Sequence, residues 1–194
     1  MRFMKALLLA AALLAALPAR GAPDPLADPR RDIVGAELDL LPVAISAADG
    51  EVGGALQLWA GQGRARVRLV TAILHFPDSL TDAPFRDRDL TVLALIYDRF
   101  FRDGFRGPWI GGGLEVWWTD IGTELGPERA ERTNPVATLG AGWVFPVWRG
   151  LYLNPWAAGH VQLGNPEIEL RGERFRPPRV QAEASLKIGW AVAL

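Results

Sequence analysis

Two histidines are the residues of this sequence best suited to acid–base chemistry, because there is no cysteine to act as a nucleophile. A histidine base activates a hydroxyl only where the two groups lie within hydrogen-bond reach. His75 stands in the run HFP and His160 in the run HVQ, so neither has a serine two positions further along the same strand. We therefore predict no catalytic residue and no enzyme. We expect His160 to be a hydrogen-bonding residue near Asn154 and Gln162.

Acidic residues offer a second kind of chemistry. Glu115 and Asp98 lie in neighbouring segments and could form a carboxylate pair for general acid–base catalysis. A salt bridge with Arg66, Arg68 or Lys187 is the favoured interpretation, since these basic residues share the same polar registers. The run WIGGGLEVWW opens no helix, so its glycines cannot cradle a phosphate. With two histidines, no cysteine and no carboxylate cluster, we predict neither a metal site nor a cofactor.

The segments that must position these residues alternate strictly between apolar and polar or small residues. The closing run VQAEASLKIGWAVAL shows the pattern most clearly, and a period of two indicates a β-strand with one apolar face. Eight such segments follow residue 31: Asp32–Leu41, Val52–Ala60, Ala65–Phe76, Leu90–Phe101, Trp109–Ile121, Val136–Phe145, Leu151–Leu163 and Val180–Leu194.

The lengths of the connections predict how these strands are arranged. Short links (GQG, RDGFRG, VWRG) alternate with long charged links at Pro77–Asp89, Gly122–Pro135 and Gly164–Pro178. This alternation predicts an all-β fold, an eight-stranded antiparallel up-and-down barrel with every short turn and both termini at one end. It is typical of transmembrane β-barrels of the outer membrane. The first link, near PVAISAADGE, cannot be bounded from the sequence.

The beginning of the chain predicts export. Arg2 and Lys5 precede a short apolar stretch and the small residues around Pro18, which is the order of a cleaved signal peptide. We assign residues 1–21 to the signal, 22–31 to a periplasmic N-terminal tail and 32–194 to an outer-membrane barrel domain. An N-terminal membrane anchor is the alternative.

The composition narrows the function classes. The formal net charge is −1, so there is no basic field to attract nucleic acid. Eight tryptophans against two tyrosines suit a protein at a membrane interface, where the indole ring is apolar and its N–H stays hydrated. We expect Trp118, Trp143, Phe145, Trp190 and Phe76 to form aromatic girdles near the ends of the outward registers.

The polar registers should face a narrow lumen. A soluble barrel, the alternative, would reverse this arrangement, with an apolar interior and a charged exterior. Many glycines accompany the charges, as a narrow eight-stranded interior requires, and charges of both signs can pair across it. The predicted lumen network consists of Glu37, Arg66, Arg68, Asp98, Glu115, His160, Glu183 and Lys187.

On these features the chain resembles the small eight-stranded outer-membrane proteins, the class of outer membrane proteins A, X and W, with no subfamily assignable. The resemblance implies that the last strand serves as a signal for the barrel-assembly machinery. That class usually ends in Phe or Trp, whereas this chain ends in Leu194.

These observations predict a small outer-membrane protein with a structural or surface-interaction role and a lumen filled by polar side chains. A narrow channel or carrier for small or hydrophobic solutes is the alternative, and a lipid A-modifying enzyme with a hydroxyl near His160 is less favoured. The expected partners are outer-membrane lipid and lipopolysaccharide, contacted by the charged loops, together with the assembly machinery. We expect a monomer.

Overall fold

The computed structural model describes residues 24–48 and 50–194, and most of them lie in β-strands. The predicted signal peptide lies outside the described residues. Eight long strands form the barrel: β1 Ile33–Asp39, β2 Gly54–Gln62, β3 Ala65–Phe76, β4 Phe85–Phe100, β5 Gly107–Thr123, β6 Gly126–Trp148, β7 Leu151–Gln162 and β10 Val180–Ala193. A helix, α1 (Leu40–Ala48), and two short strands, β8 (Ile168–Leu170) and β9 (Glu173–Phe175), lie in the connections.

The barrel is closed, and each strand is antiparallel to both neighbours. The closing pair joins the first and last strands, with Ile33 opposite Ala193 and Asp39 opposite Lys187. Closure leaves no open sheet edge. The predicted eight-stranded antiparallel up-and-down barrel is therefore confirmed. We call the end that carries the β2–β3, β4–β5 and β6–β7 turns the turn end, and the opposite end the loop end.

The outward face of the barrel is apolar. Strand β4 shows the pattern, since Leu93 and Leu95 are exposed while Val92, Ala94 and Ile96 between and beside them are buried. Every second residue of each barrel strand faces outward, and across a continuous belt none of these outward residues is charged. The belt consists of the alternate positions, counted from the first, in the ranges 34–38, 56–60, 65–73, 91–97, 110–118, 133–145, 151–161 and 180–192. Aromatic residues, among them Trp118, Trp143 and Phe145, are exposed on this belt.

Phe76 is an exception to the predicted girdles. It shares the inward register of β3 with Arg66 and Arg68, and it packs beside the buried cluster that contains Leu90. The Arg88 guanidinium lies 4.3 Å from the centre of its ring. The period of two places residue 76 on the even, inward register, so its assignment to the outward girdle was wrong.

The loop end is more regular than predicted. Gly122–Pro135, predicted as a long loop, is instead the tip of a β5–β6 hairpin whose turn joins Thr123 to Gly126. This prediction was wrong because charged side chains exposed on both faces resemble a loop in sequence, although the backbone remains paired. The β7–β10 connection contains the β8–β9 hairpin, which packs on this extension through Phe85, Ile121, Ile168, Leu170 and Phe175.

The first connection is the helix α1, which covers part of the loop end. Ser46 is fully buried, and its Oγ accepts a hydrogen bond of 3.0 Å from the backbone N–H of His75. The first turn is tied to the barrel, because the Leu41 N–H donates to Asp39 Oδ1 and to Ser185 Oγ. The helix therefore forms part of the roof of the lumen.

The segment 24–31 closes the turn end. Leu26 is buried among Trp59, Phe105 and Trp109. The Leu26 backbone oxygen accepts a 3.1 Å hydrogen bond from the Phe105 N–H. At Gly104, φ is +78° and a Cβ would lie 2.5 Å from that same oxygen, so this turn requires glycine. The stretch predicted as a tail thus packs against the barrel.

No helix in the described part of the chain is long and apolar enough to cross a membrane.

Candidate functional site in the barrel lumen

The centre of the lumen holds a network of buried ion pairs. Arg66 Nε donates to Asp98 Oδ2 at 2.7 Å, and its Nη1 donates to Glu37 Oε1 at 2.8 Å. Arg68 donates to both oxygens of Asp98, at 2.7 and 2.9 Å, and to Gln57 Oε1. Strands β1, β2, β3 and β4 position these side chains, because inward positions alternate along each strand.

Aromatic and amide groups complete this network on its turn-end side. Glu37 Oε1 also accepts hydrogen bonds from Tyr152 Oη at 2.9 Å and Asn154 Nδ2 at 3.1 Å. Trp59 Nε1 donates to Tyr152 Oη at 2.8 Å, and the Arg66 guanidinium lies 5.2 Å from the centre of the Trp59 ring. The charges are therefore held by several partners each, as burial in a low-dielectric interior requires.

Together with the apolar layer around Leu26, this network closes the lumen towards the turn end. Arg66 and Asp98 are at most 1% exposed, and Trp109 beside them is equally buried. Small residues make room for these side chains: a Cβ at Gly35 or Gly189 would lie within 2.4 Å of the Trp59 or Tyr152 ring.

Lys187 and Asp39 form the next layer towards the loop end. Asp39 accepts hydrogen bonds from Trp156 Nε1 at 2.9 Å and from Ser185 Oγ. The Lys187 Nζ lies 3.7 Å from the centre of the Trp156 ring and has no hydrogen-bond partner among the described residues. Asp39 and Trp156 were not among the predicted site residues, although both stand on the polar registers, where the period of two would have found them.

His160 lies nearer the loop end, between two carboxylates. Its Nδ1 is 3.3 Å from Glu115 Oε1 and 3.1 Å from Thr138 Oγ1, and its Nε2 is 3.3 Å from Glu183 Oε2. The ring of Trp117 packs on it, and the Trp117 Nε1 donates to Glu115 Oε2.

His160 is a hydrogen-bonding residue of the lumen, but Asn154 and Gln162, which it was expected to lie near, are not its hydrogen-bond partners. Asn154 bonds to Trp109 and Glu37, and Gln162 bonds to Asn134. Inward residues of one strand stand about 7 Å apart, so the partners of an inward side chain come from the strands beside and across the lumen.

Glu115 and Asp98 do not pair with each other. Asp98 is bonded to Arg66 and Arg68, whereas Glu115 lies with His160. The structure thus divides seven of the eight predicted lumen residues between two groups. Glu37, Arg66, Arg68 and Asp98 form the central network, Glu115, His160 and Glu183 form the upper one, and Lys187 stands between them.

A cavity of about 290 Å³ occupies the loop-end half of the lumen. One wall is apolar and comes from β3 and β4, and the opposite wall carries the His160 group. Arg68 and Lys187 border the cavity towards the turn end, and Leu41, Pro42 and Ile45 of α1 border it at the loop end. The apolar wall consists of Val70, Ala72, Leu74, Phe76, Leu90, Val92, Ala94 and Ile96.

The expectation of a lumen filled by polar side chains therefore holds only for the central layer. In β4 both registers are apolar from Val92 to Ile96, so one face of the strand lines the lumen with aliphatic groups. Within residues 24–48 and 50–194, no group of three or more His, Cys, Asp or Glu side chains is arranged so that it could hold a metal ion; Glu115 and Glu183 lie on opposite nitrogens of His160. Thr138 is the hydroxyl residue beside His160.

Comparisons with known proteins find similarity in structure but not in sequence. No protein-family model matches the chain, and no curated protein matches its sequence significantly. The structure is similar to the N-terminal β-barrel domain of Pseudomonas aeruginosa OprF, with a TM-score of 0.47 and 14% identity over 84% of this chain and 98% of that one. It is also similar to Neisserial surface protein A, with a TM-score of 0.42 and 12% identity over 84% of this chain and 95% of that one.

The strand pairing of the chain itself establishes its eight-stranded barrel. At the level of the fold, the chain has the architecture of the small eight-stranded class that it resembles in sequence, and no subfamily is assigned.

Proposed function

We propose that this protein is a small β-barrel of the bacterial outer membrane whose lumen is closed, and that it acts in the structure or the surface interactions of that membrane. The observation that carries the proposal is the charge-free outward belt, combined with ion pairs inside the barrel. A soluble barrel would have the opposite distribution.

The belt accounts for the proposed location physically. Leu95, Leu114 and Leu139 are each at least 60% exposed. Each such side chain gains roughly 1.5–3 kcal/mol when it moves from water into an apolar medium. Soluble monomers rarely expose so continuous an apolar surface. Lipid offers no hydrogen-bond partner to the backbone groups of an open sheet edge. The closed barrel has no open edge.

The central network supports a closed lumen. Glu37, Arg66 and Asp98 fill the cross-section with bonded charges, and the Leu26 layer lies between them and the turn end. Opening a path would break several hydrogen bonds of buried charged groups, each contributing about 1.5–3 kcal/mol.

Fractionation tests the location. The protein is expressed with residues 1–21 in a bacterium that has an outer membrane, and its fractions are compared by electrophoresis with and without heating. We expect it in the outer-membrane fraction, with a mobility that changes on heating because the folded barrel resists detergent. Recovery in the soluble periplasmic fraction would contradict the proposal.

A carrier for small or hydrophobic solutes is the second candidate, and the cavity in the loop-end half favours it over a continuous channel. Conductance across a planar lipid bilayer distinguishes a closed barrel, with or without a carrier role, from a channel. A closed barrel gives no steady ion current, whereas a channel gives discrete open levels. The hydroxyl beside His160 is that of Thr138, which also hydrogen-bonds to the Gly159 backbone oxygen. Catalysis is not proposed, because each ring nitrogen of His160 lies beside a carboxylate.

We extend the proposal to the expected partners. The β5–β6 and β8–β9 hairpins carry interspersed Glu and Arg residues that suit the charged and sugar groups of lipopolysaccharide. The last strand would be read by the barrel-assembly machinery. If that reading depends on the final side chain, Leu194→Phe should speed assembly in cells, measured as the time course of the heat-dependent mobility. An unchanged time course would count against a role for residue 194.

A further inference from the structure

The loop-end cavity has two unlike walls, which is the arrangement of a binding site for an amphipathic small molecule. Aliphatic groups of β3 and β4, such as Val70 and Val92, face the Glu115–His160–Glu183 group across about 290 Å³. Ligand pockets are typically apolar with a few placed polar groups, and they begin at about 300 Å³. The volume suits one aromatic ring or a short alkyl chain.

Lys187 is a second feature that points to a ligand in this cavity. It lines the cavity, its side chain is fully buried, and its Nζ donates no hydrogen bond to any described residue. A buried polar group without a partner costs free energy. The ammonium packs against the Trp156 ring, 3.7 Å from its centre, but none of its three N–H groups has an oxygen or nitrogen acceptor among the described residues. At the edge of a cavity, this points to an acceptor that is not part of the chain.

The neighbours of Lys187 do not use these donors. Asp39 lies opposite it on β1, and its oxygens already accept hydrogen bonds from Trp156, Ser185 and the Leu41 N–H. Glu37 accepts hydrogen bonds from Arg66, Tyr152 and Asn154 through Oε1. Its Oε2 has no hydrogen-bond partner among the described residues and does not reach the Lys187 Nζ.

The central network and the Lys187–Asp39 layer are together balanced in formal charge. Their acidic residues are Glu37, Asp39 and Asp98, and their basic residues are Arg66, Arg68 and Lys187. An acceptor at Lys187 can therefore be neutral, whereas a formal anion would also meet the carboxylates of Glu115 and Glu183 across the cavity.

We infer that the loop-end half of the lumen binds a small apolar molecule that carries a carbonyl or similar neutral oxygen acceptor. Lys187 Nζ donates to that oxygen, and the apolar body lies against the β3–β4 wall. This inference goes beyond the proposed location and closed lumen, since it assigns a ligand class to the cavity.

Three probes of similar size test it. Acetophenone and ethylbenzene differ mainly in one oxygen atom, and benzoate adds a negative charge. Binding of each is measured by calorimetry to the full barrel in lipid nanodiscs, with empty nanodiscs subtracted. We expect acetophenone to bind at least tenfold more tightly than ethylbenzene, a factor equal to about 1.4 kcal/mol. Benzoate should bind more weakly than acetophenone.

Two substitutions locate the site. Lys187→Met removes the donors and keeps the length of the side chain, so it should bring acetophenone to the affinity of ethylbenzene. Ala94→Phe enlarges a side chain of the apolar wall, so that it fills part of the cavity. It should weaken the binding of acetophenone and of ethylbenzene at least tenfold. Heat-dependent mobility confirms folding of each variant, and Ala94→Phe with the probe pair suffices where Lys187→Met fails to fold.

Equal affinity of the wild-type barrel for acetophenone and ethylbenzene would overturn the inference. So would an undiminished preference for acetophenone in folded Lys187→Met, tighter binding of benzoate than of acetophenone, or no binding of any probe. Loss of outer-membrane location with these affinities intact would refute the proposed function alone.

Discussion

Asp98 is the acceptor on which the central lumen network depends. It receives one hydrogen bond from Arg66 and two from Arg68 and is fully buried. Removing one partner of a buried ion pair leaves the other charge uncompensated, which is more costly than the pair is stabilising.

We predict that Asp98→Asn lowers the free energy of unfolding by about 3–5 kcal/mol. The measurement is urea unfolding of the barrel refolded in lipid vesicles, followed by tryptophan fluorescence. Asp103→Asn is the matched control, because Asp103 pairs with Arg64 in an exposed turn and exposed pairs contribute little. Equal stability of wild type and Asp98→Asn would contradict this account of the network.

A second prediction concerns the effect on stability of enlarging either of two glycines. A Cβ at Gly189 would lie 2.1 Å from the Tyr152 ring, whereas a Cβ at Gly159 would meet nothing within 4 Å. Gly189→Ala should displace Tyr152 from Glu37 and cost about 1–3 kcal/mol, as overpacking does. Gly159→Ala should leave the urea midpoint close to that of wild type. If both variants unfold together, the lumen is looser around Tyr152 than described.

The sequence predicted which residues face the lumen better than it predicted which of them meet. The period of two assigns Glu37, Arg66 and Asp98 to inward registers from the sequence alone. Their pairing depends on strand tilt and stagger, which bring residues of different strands to one level. For the same reason His160 meets Glu183 and Glu115 rather than residues of its own strand.

At the scale of elements, the β5–β6 hairpin and the β8–β9 hairpin form a small cap at the loop end. Phe175 packs edge-on against Phe85, with ring centres 5.4 Å apart, and Ile121 and Ile168 complete the cluster. Charges on the surface of the cap made its strands resemble loops in sequence. Its apolar residues are too few and too scattered to reveal this packing beforehand.

We predict that Phe175→Ala frees the β8–β9 hairpin while the barrel stays intact, because the Phe175 cluster is separate from the two apolar clusters inside the barrel. Trypsin added to membranes should then cleave at Arg171–Arg179 at least several times faster than in wild type, and heat-dependent mobility should persist. Leu125→Ala is the control, since Leu125 is half exposed in the turn of the β5–β6 hairpin. Unchanged cleavage would show that Phe175 does not hold the cap.

At the scale of the whole molecule, the sequence predicted the fold and the outward face because both follow from alternation over the barrel strands. It could not predict that the lumen is divided into an apolar layer at the turn end, a charged centre and a cavity at the loop end. That division depends on Leu26, α1 and the apolar register of β4 being brought together from distant parts of the chain.

Single nitroxide labels measure directly whether the outward belt faces lipid. The chain has no native cysteine, so Leu93→Cys, Ala94→Cys and Leu95→Cys each give one labelled site in lipid vesicles. Because oxygen concentrates in lipid, we expect it to relax labels at residues 93 and 95 more strongly than a water-soluble nickel complex does. The label at residue 94 should be protected from oxygen. Stronger relaxation by the nickel complex at residues 93 and 95 would contradict a lipid-facing belt.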